Sequence, residues 1–307
     1  MVGNISIGGT GKSPVVIALA IALKAKGYRP GIISRGHGSH APYYPFRVNQ
    51  NTLVSFSGDE PLMIARQTQC PVMIGADRYA TALTLLAQFS ECDIIISDDG
   101  LQHYSLPRAL EIAVINGERG FGNGHCLPAG PLREPVHRLD SVDWIIVNGE
   151  VNNSNDNLQR YIADRHSAAR IISITAQPKR WLHIQSNTVY PLLPLPWSSY
   201  SQYRQKAGVK LKAVASIGNP QHFFLMLTEQ GLDIERYSFP DHHSFTYNDL
   251  AAWQQHIVLM TRKDAVKCEK FASRYWWALE IEAQLPSELI TAVGNLPIAK
   301  KVTDMPG

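Results

Sequence analysis

The chain is predicted to fold as an α/β protein: a doubly wound parallel sheet with helices on both faces, then a second, smaller α/β domain. Three features carry this expectation. Strands of the first half are continuous apolar runs rather than alternating ones, as in sheets covered on both faces. Helical stretches stand between them, the order that a parallel sheet requires. At "QPKRWLHIQSNTVYPLLPLPW", Gln177–Trp197, the alternation breaks into short extended runs and prolines, and beyond it the α/β pattern begins again.

In chain order, "VGNISI" reads as a strand, "SPVVIALAIALKAKG" as a helix closed by Gly27, and "PGIIS" as the next strand. The unit repeats as strand "CPVMIG", helix "DRYATALTLLAQF" and strand "CDIIIS", followed by the strands "LEIAVI", "VDWIIV" and "RIISI". The broken stretch reads as a hairpin or linker. After it come "LKAVASIG", "PQHFFLMLTEQG", "DIERYSF", "TYNDLAAWQQ" and "HIVLMT", a second set of strands and helices. A boundary near residue 180 gives domains of 1–180 and 181–307.

Composition narrows the function classes. With 307 residues, 45% of them hydrophobic and 18% charged, the chain can bury a sizeable core. A net charge of +3 with scattered Lys and Arg argues against nucleic acid as a partner. Cys70, Cys92, Cys126 and Cys268 form no CxxC pair, so reduced, buried thiols are expected rather than a disulfide framework or a zinc site. No basic segment followed by an apolar one precedes the first strand, so no signal peptide is expected. The longest apolar run, Pro14–Leu23, is too short to span a bilayer, and the chain as given is expected to be soluble.

The stretch "SIGGTGKSP", Ser6–Pro14, raises the first functional question. Gly11, Lys12 and Ser13 match the end of the phosphate-loop pattern, but Ser6 stands at its first glycine. Placement between a strand and a helix favours a phosphate cradle, with Pro14 in the first helical turn. Gly8, Gly9 and Gly11 let backbone amides face an anion at the helix N-terminus. Lys12 would reach the β- and γ-phosphates and Ser13 would ligate Mg²⁺. The plainer alternative is a glycine-rich turn with an incidental lysine. "CDIIISDDG" supplies the carboxylates that such a loop needs, with Asp98 and Asp99 at a strand end, although Asp-Gly is also a common turn. The overall fold is then of the phosphate-loop NTPase type.

Other stretches leave alternatives open. "GDEP" puts Asp59 and Glu60 at a helix start, either as capping residues or with one carboxylate aimed at the γ-phosphate and orienting an attacking hydroxyl. "SRGHG" brings Arg35 to the end of the second strand, facing phosphates or an anionic substrate, or solvent. "FPDHHSFT" offers Asp241, His242 and His243 in a loop, with no third ligand at zinc spacing. "TRKDAVK" differs in order from the element that reads guanine in GTPases and is taken as structural.

Together these stretches resemble one family, the tetraacyldisaccharide 4'-kinases, the lipid A 4'-kinases of Gram-negative bacteria. The likeness rests on "GNISIGGTGKSP", "SRGHG", "GDEP", "DDGLQH", "LPAGPLREP", "GNPQHFF", "FPDHHSF" and "TRKDAVK", in order from residue 3 to residue 267. It implies ATP-dependent phosphorylation of the 4'-hydroxyl of a tetraacylated glucosamine disaccharide 1-phosphate, by two α/β domains joined by a β-ribbon linker around an active-site cleft. Carried over, Ser6, Ile7, Gly8, Gly9, Thr10, Gly11, Lys12 and Ser13 would hold the ATP phosphates, with Arg35 beside them. Asp98 and Asp99, with Ser13, would serve Mg²⁺, and Gln102 and His103 would line the same site. Asp59 would be the catalytic base and His242 its partner, with Lys12 neutralising charge. His37 stands where the family more usually has tyrosine.

Family members carry a few dozen residues before the phosphate-loop strand, including an apolar, basic-flanked helix that docks on the membrane. The chain as given begins two residues before the strand's glycine, so that anchor is not expected within it. The resemblance implies a peripheral position on the cytoplasmic side of the inner membrane, with Trp197 and Tyr200 as exposed aromatics for residual interfacial contact. The alternative is a phosphate-loop ATPase or GTPase acting as a switch or chaperone on a protein partner. It would use Lys12, Ser13 and Asp98 but would not need Asp59 and His242.

Overall fold

A computed structural model describes residues 1–151, 156–164, 170–200 and 210–296. The chain divides into two compact units. One comprises Met1–Ala176 together with the chain from Ala283 onward, and the other is Gln177–Glu282. Both are α/β.

The first unit is built on two four-stranded ladders. One runs β3 (Phe46–Val48), β4 (Val72–Ile74), β2 (Pro30–Ser34), β5 (Ile94–Ser97), and the other β1 (Val2–Gly3), β6 (Ile112–Asn116), β7 (Trp144–Asn148), β8 (Arg170–Ile174). All pairings are parallel except β3 with β4. The ladders join where Gly100 N–H donates to the Val2 carbonyl at 3.1 Å. Central strands such as β2 and β6 are Ile- and Val-rich and buried along almost their whole length, which explains why their sequences show no alternation. Helix α1 (Lys12–Ala25) buries Val15, Val16, Ile17, Leu19, Ala20 and Leu23. After the short α2 (Val54–Ser57), helix α3 (Asp59–Thr68) packs beside α1, and α4 (Arg78–Gln88) lies against β2 and β4.

The first strand is shorter than "VGNISI" predicts. After Gly3 the backbone leaves the ladder and bonds to a loop instead. Arg133 N–H donates to the Ile5 carbonyl at 2.6 Å, and Ile7 N–H to the Pro131 carbonyl at 2.8 Å. The "LPAGPLREP" segment is therefore the backing of the glycine-rich loop.

In the second unit, β11 (Leu211–Ala215), β12 (Ile234–Ser238), β13 (Val258–Thr261) and β14 (Trp276–Glu282) are mutually parallel in the order β14-β13-β11-β12. The expected hairpin or linker is a hairpin, β9 (Gln177–His183) and β10 (Thr188–Tyr190), and β9 pairs antiparallel with β14 as part of this same sheet. Chain entry and exit are consequently neighbours, with Gln177 opposite Glu282. Trp181, Trp197 and Trp277 form an aromatic core, with ring centroids 4.7 Å apart for Trp181–Trp197 and 5.8 Å for Trp197–Trp277.

Two expectations are corrected here. Residues from Ala283 onward do not extend the second domain. The helix Ser287–Gly294 belongs to the first unit, where the Tyr28 hydroxyl donates to the Gly294 carbonyl at 2.8 Å and Lys26 Nζ to Thr291 Oγ1 at 3.0 Å. Trp197 is not an exposed aromatic. It is fully buried, because its ring fills the space between Trp181 and Trp277, and Tyr200 is half-buried with its hydroxyl on the Arg274 carbonyl. The four cysteines are unpaired and buried or half-buried.

Candidate active site

The glycine-rich loop turns into α1 at Gly11, whose φ of +88° lies in the left-handed region. A side chain is barred there twice over, since a Cβ would also fall 2.1 Å from Asn148 Nδ2. Asn148 Nδ2 donates to the Thr10 carbonyl, and Asn4 Nδ2 to the Ser6 carbonyl at 2.7 Å and Thr10 Oγ1 at 3.3 Å. The two asparagines thus fix the loop from below while Lys12 and Ser13 open the helix. Amides at this end of a 14-residue helix carry its partial positive charge.

Beside it, β5 ends in the acidic pair. Asp98 N–H extends the ladder to the Ile33 carbonyl at 2.8 Å, and Asp99 turns the chain with φ +50°. The two carboxylates meet different fates. Asp99 accepts from Arg133 Nη1 at 3.0 Å through both oxygens and lies 3.4 Å from Lys12 Nζ. Burial opposes its ionisation, but Lys12 and Arg133 outweigh it and hold the carboxyl below its usual range. Asp98 is 2% exposed. Its Oδ2 accepts from Ser34 Oγ at 3.1 Å, while Oδ1 has no partner. Burial, reinforced by Glu60, pushes it up to about 7.

A buried carboxylate oxygen without a partner fits the donor set of Mg²⁺, which takes few protein ligands and completes its shell with water and phosphate oxygens. No cluster of three His, Cys, Asp or Glu suited to a metal exists among the described residues. Of the acidic pair, Asp98 keeps an open oxygen, and Asp99 is already tied to two cations.

Gln102 bridges the site's wall: its Nε2 donates to the Asn4 carbonyl at 2.9 Å and to Glu134 Oε2 at 2.6 Å, and its Oε1 accepts from Arg133. Glu134 also accepts from the Tyr104 hydroxyl. His103 follows, held below its usual range by burial and by Arg78 and Arg35. Arg35 is exposed at the end of β2. Asp59 is buried at the N-terminus of α3, with its Oδ1 accepting from Glu60 N–H at 2.8 Å. Gly58 ahead of it has φ +79°, and a Cβ there would lie 2.5 Å from the His37 carbonyl, so the "SRGHG" and "GDEP" loops are in contact.

Two arginines were not singled out by sequence. Arg133 pairs with Asp99, as above. Arg78, first residue of α4, is 1% exposed. Its Nη1 donates to the Gly75 carbonyl and its Nε and Nη2 have no partner. Burial lowers it to about 10, against the pull of Asp98 and Asp99. A buried guanidinium with idle donors beside two carboxylates is placed to bind an anion. An arginine one residue into a helix after "GAD" was the available signal.

The remaining candidates sit in the second unit. His242 has φ +59°, and its N–H donates to the Ser216 carbonyl at 3.3 Å. In "TRKDAVK", Asp264 is wholly buried and accepts from Ser216 N and Oγ, Thr261 Oγ1 and Lys267 Nζ, a structural role as expected.

Comparison with known proteins identifies the family. The family described as tetraacyldisaccharide-1-P 4'-kinase (LpxK) matches over residues 1–296. The tetraacyldisaccharide 4'-kinase of Nitrosococcus oceani is 43% identical over 296 residues, 96% of this chain and 79% of that protein. That of Haemophilus influenzae is 44% identical over 287 residues, 93% of this chain and 78% of the relative. A crystal structure of LpxK from Aquifex aeolicus, described as an "apo" form in complex with ATP, has the same fold. Its TM-score is 0.72 at 24% identity, with 96% of this chain and 87% of that one covered.

Proposed function

The chain belongs to the tetraacyldisaccharide-1-P 4'-kinase family, and we propose that its first unit performs the transfer through the loop, acidic pair and arginines described above. It is an ATP-dependent kinase that acts on a hydroxyl group in lipid A biosynthesis. In the proposed reaction, the 4'-hydroxyl oxygen of a tetraacylated glucosamine disaccharide 1-phosphate attacks the γ-phosphorus of ATP. The bond from that phosphorus to the β–γ bridging oxygen breaks, ADP leaves, and the hydroxyl proton passes to Asp59.

Phosphoryl transfer of this kind has a loose transition state, so positioning and neutralisation of oxygen charge supply most of the rate. Residues Ser6 to Ser13 wrap the phosphates with backbone amides, and Lys12 reaches the γ-phosphate by exchanging its ion pair with Asp99. Ser13, Asp98 and Asp99 would hold Mg²⁺. When bound, the ion neutralises charge on the β- and γ-oxygens. Arg78, Arg133 and Arg35 add positive charge around the transferred group, and Gln102 and His103 line the wall. Asp59 and, from the second unit, His242 keep the roles of base and partner that the resemblance gives them. A lipid substrate supports a peripheral position on the cytoplasmic side of the inner membrane. No helix among the described residues is long and apolar enough to cross a membrane.

The observation that carries this reading is the open Oδ1 of buried Asp98 beside the Lys12–Asp99 pair. The test is ATP-dependent phosphate transfer to the disaccharide 1-phosphate in mixed micelles, with Lys12→Ala as control. Product from the wild type alone supports the reading, whereas steady ATP hydrolysis that ignores the lipid would favour a nucleotide switch.

A further inference from the structure

Within the second unit, His242 is held in an unusual way. Its backbone occupies the left-handed region, φ +59°, which is disfavoured for a residue with a side chain and is retained where the surroundings fix it. The fixing groups are the Ser216 carbonyl, 3.3 Å from His242 N, and Asp241 Oδ1, 3.0 Å from the same amide. On the ring, Nε2 lies 3.3 Å from Lys263 Nζ. That lysine side chain is 13% exposed and also lies 3.5 Å from Asp241 Oδ1.

An ammonium group has donors and no acceptor. A hydrogen bond between Lys263 Nζ and His242 Nε2 therefore requires the Nε2 lone pair, and the neutral ring then carries its proton on Nδ1. We propose that Lys263 is a positioning residue for His242, locking the imidazole as a neutral Nδ1–H donor. This deepens, and rests on, the reading of His242 as a working residue of the kinase. The ring then acts by donating a hydrogen bond through Nδ1, and Nε2 is not a proton acceptor.

The frame behind this contact is rigid. Lys263 is the second residue of the helix Arg262–Cys268, capped by Thr261, whose Oγ1 accepts from Asp264 N–H at 3.1 Å. Asp264 bonds the amide and hydroxyl of Ser216, and the Ser216 carbonyl holds His242. Both partners are thus set by one buried aspartate. Protonation of Nε2 would break the Lys263 bond and set a second positive charge beside the ammonium. Asp241 Oδ1, 3.9 Å from Nε2, offsets part of that repulsion. Lys267 is turned to Asp264 and Ser216 instead.

Long-range ¹H–¹⁵N spectra of the whole chain with ¹⁵N-histidine, assigned with His242→Gln, read the tautomer directly. The expected wild-type ring at pH 8 has its proton on Nδ1. Lys263→Met shifts it toward the Nε2–H form and lowers kcat by about tenfold to a hundredfold, the scale on which a misplaced group costs an enzyme, with KM for ATP and lipid within twofold. Lys263→Arg, which keeps a donor, restores both. A wild-type ring protonated on Nε2 overturns the inference without any variant, and so does an unchanged tautomer and kcat in Lys263→Met. Should Lys263→Met fail to fold, Lys263→Leu, which also lacks a donor, is read in the same way. If His242→Gln turns over like the wild type, the kinase role of His242 is lost, while the spectra still decide whether Lys263 sets its tautomer.

Discussion

Two buried aspartates, one in each unit, stand just beyond the ends of parallel strands and are finished differently. Asp264 is 0% exposed, and each of its oxygens has two partners drawn from Ser216, Thr261 and Lys267. Asp98 is 2% exposed with one oxygen on Ser34 and the other on nothing. Burial is the same and satisfaction is opposite. Leaving a buried polar group unpaired costs about 1–3 kcal/mol, so the fold bears a cost at Asp98 that it avoids at Asp264. A fully bonded carboxylate organises its own loop, and one with an open oxygen keeps an acceptor free for the cation proposed above.

The sharpest way to break this contrast is Asp98→Asn. Phosphate transfer should fall by roughly 10³-fold, the scale of losing a major electrostatic contact, while thermal unfolding of the nucleotide- and metal-free protein is unchanged or later. Turnover within fivefold of wild type would mean that the open oxygen serves no ion. The mirror experiment is Asp264→Ala, read by urea unfolding through tryptophan fluorescence. Removing one member of a buried ionic cluster costs about 3–5 kcal/mol, and a neutral result would remove the distinction between the two sites.

A third carboxylate sharpens the contrast through pH. Glu111 accepts from Arg138 Nη2 at 2.6 Å and Arg108 Nη1 at 2.5 Å. Burial opposes its ionisation, but the two arginines win and hold it below its ordinary value of 4.5. A depressed carboxylate gives stability that is present above its unfolded pKa and lost as pH falls through the folded one. Acid titration of the wild type should therefore show a loss of about 1 kcal/mol below pH 4.5 that is missing in Glu111→Gln. Equal acid limbs in the two proteins would refute it. The smallest effect expected is from Tyr28→Phe, which removes the neutral hydrogen bond to Gly294 and should cost roughly 0.5–1.5 kcal/mol in the same unfolding assay.

What could be read from sequence follows from how far its causes reach. The glycine-rich loop and the acidic pair announce themselves because a turn, a helix start and a strand end are local events. The family resemblance added ordered motifs from residue 3 to residue 267. Arg133 and Arg78 escape notice because their value lies in which distant carboxylates they meet, which neither the "LPAGPLREP" motif nor the helix start after "GAD" states. A proline-rich run resembles a linker and suggests an exposed Trp197, yet tertiary packing against Trp181 and Trp277 buries it. The return of the chain to the first unit at Ala283 leaves no compositional mark either, because a helix such as Ser287–Gly294 looks the same whichever sheet it covers.

The pairing of Gln177 with Glu282 makes the second unit an interruption in the chain of the first, and this sets an order for birth on the ribosome. Tyr28 must wait for a partner 266 residues further along. At translation rates of about 5–20 residues per second, that wait is on the order of ten to fifty seconds. During it the first unit lacks its last helix, whereas the inserted segment emerges in one stretch with both of its closing strands. The later-made unit can thus be complete before the earlier one, and the nascent chain carries an unfinished nucleotide-binding half until its final helix is released.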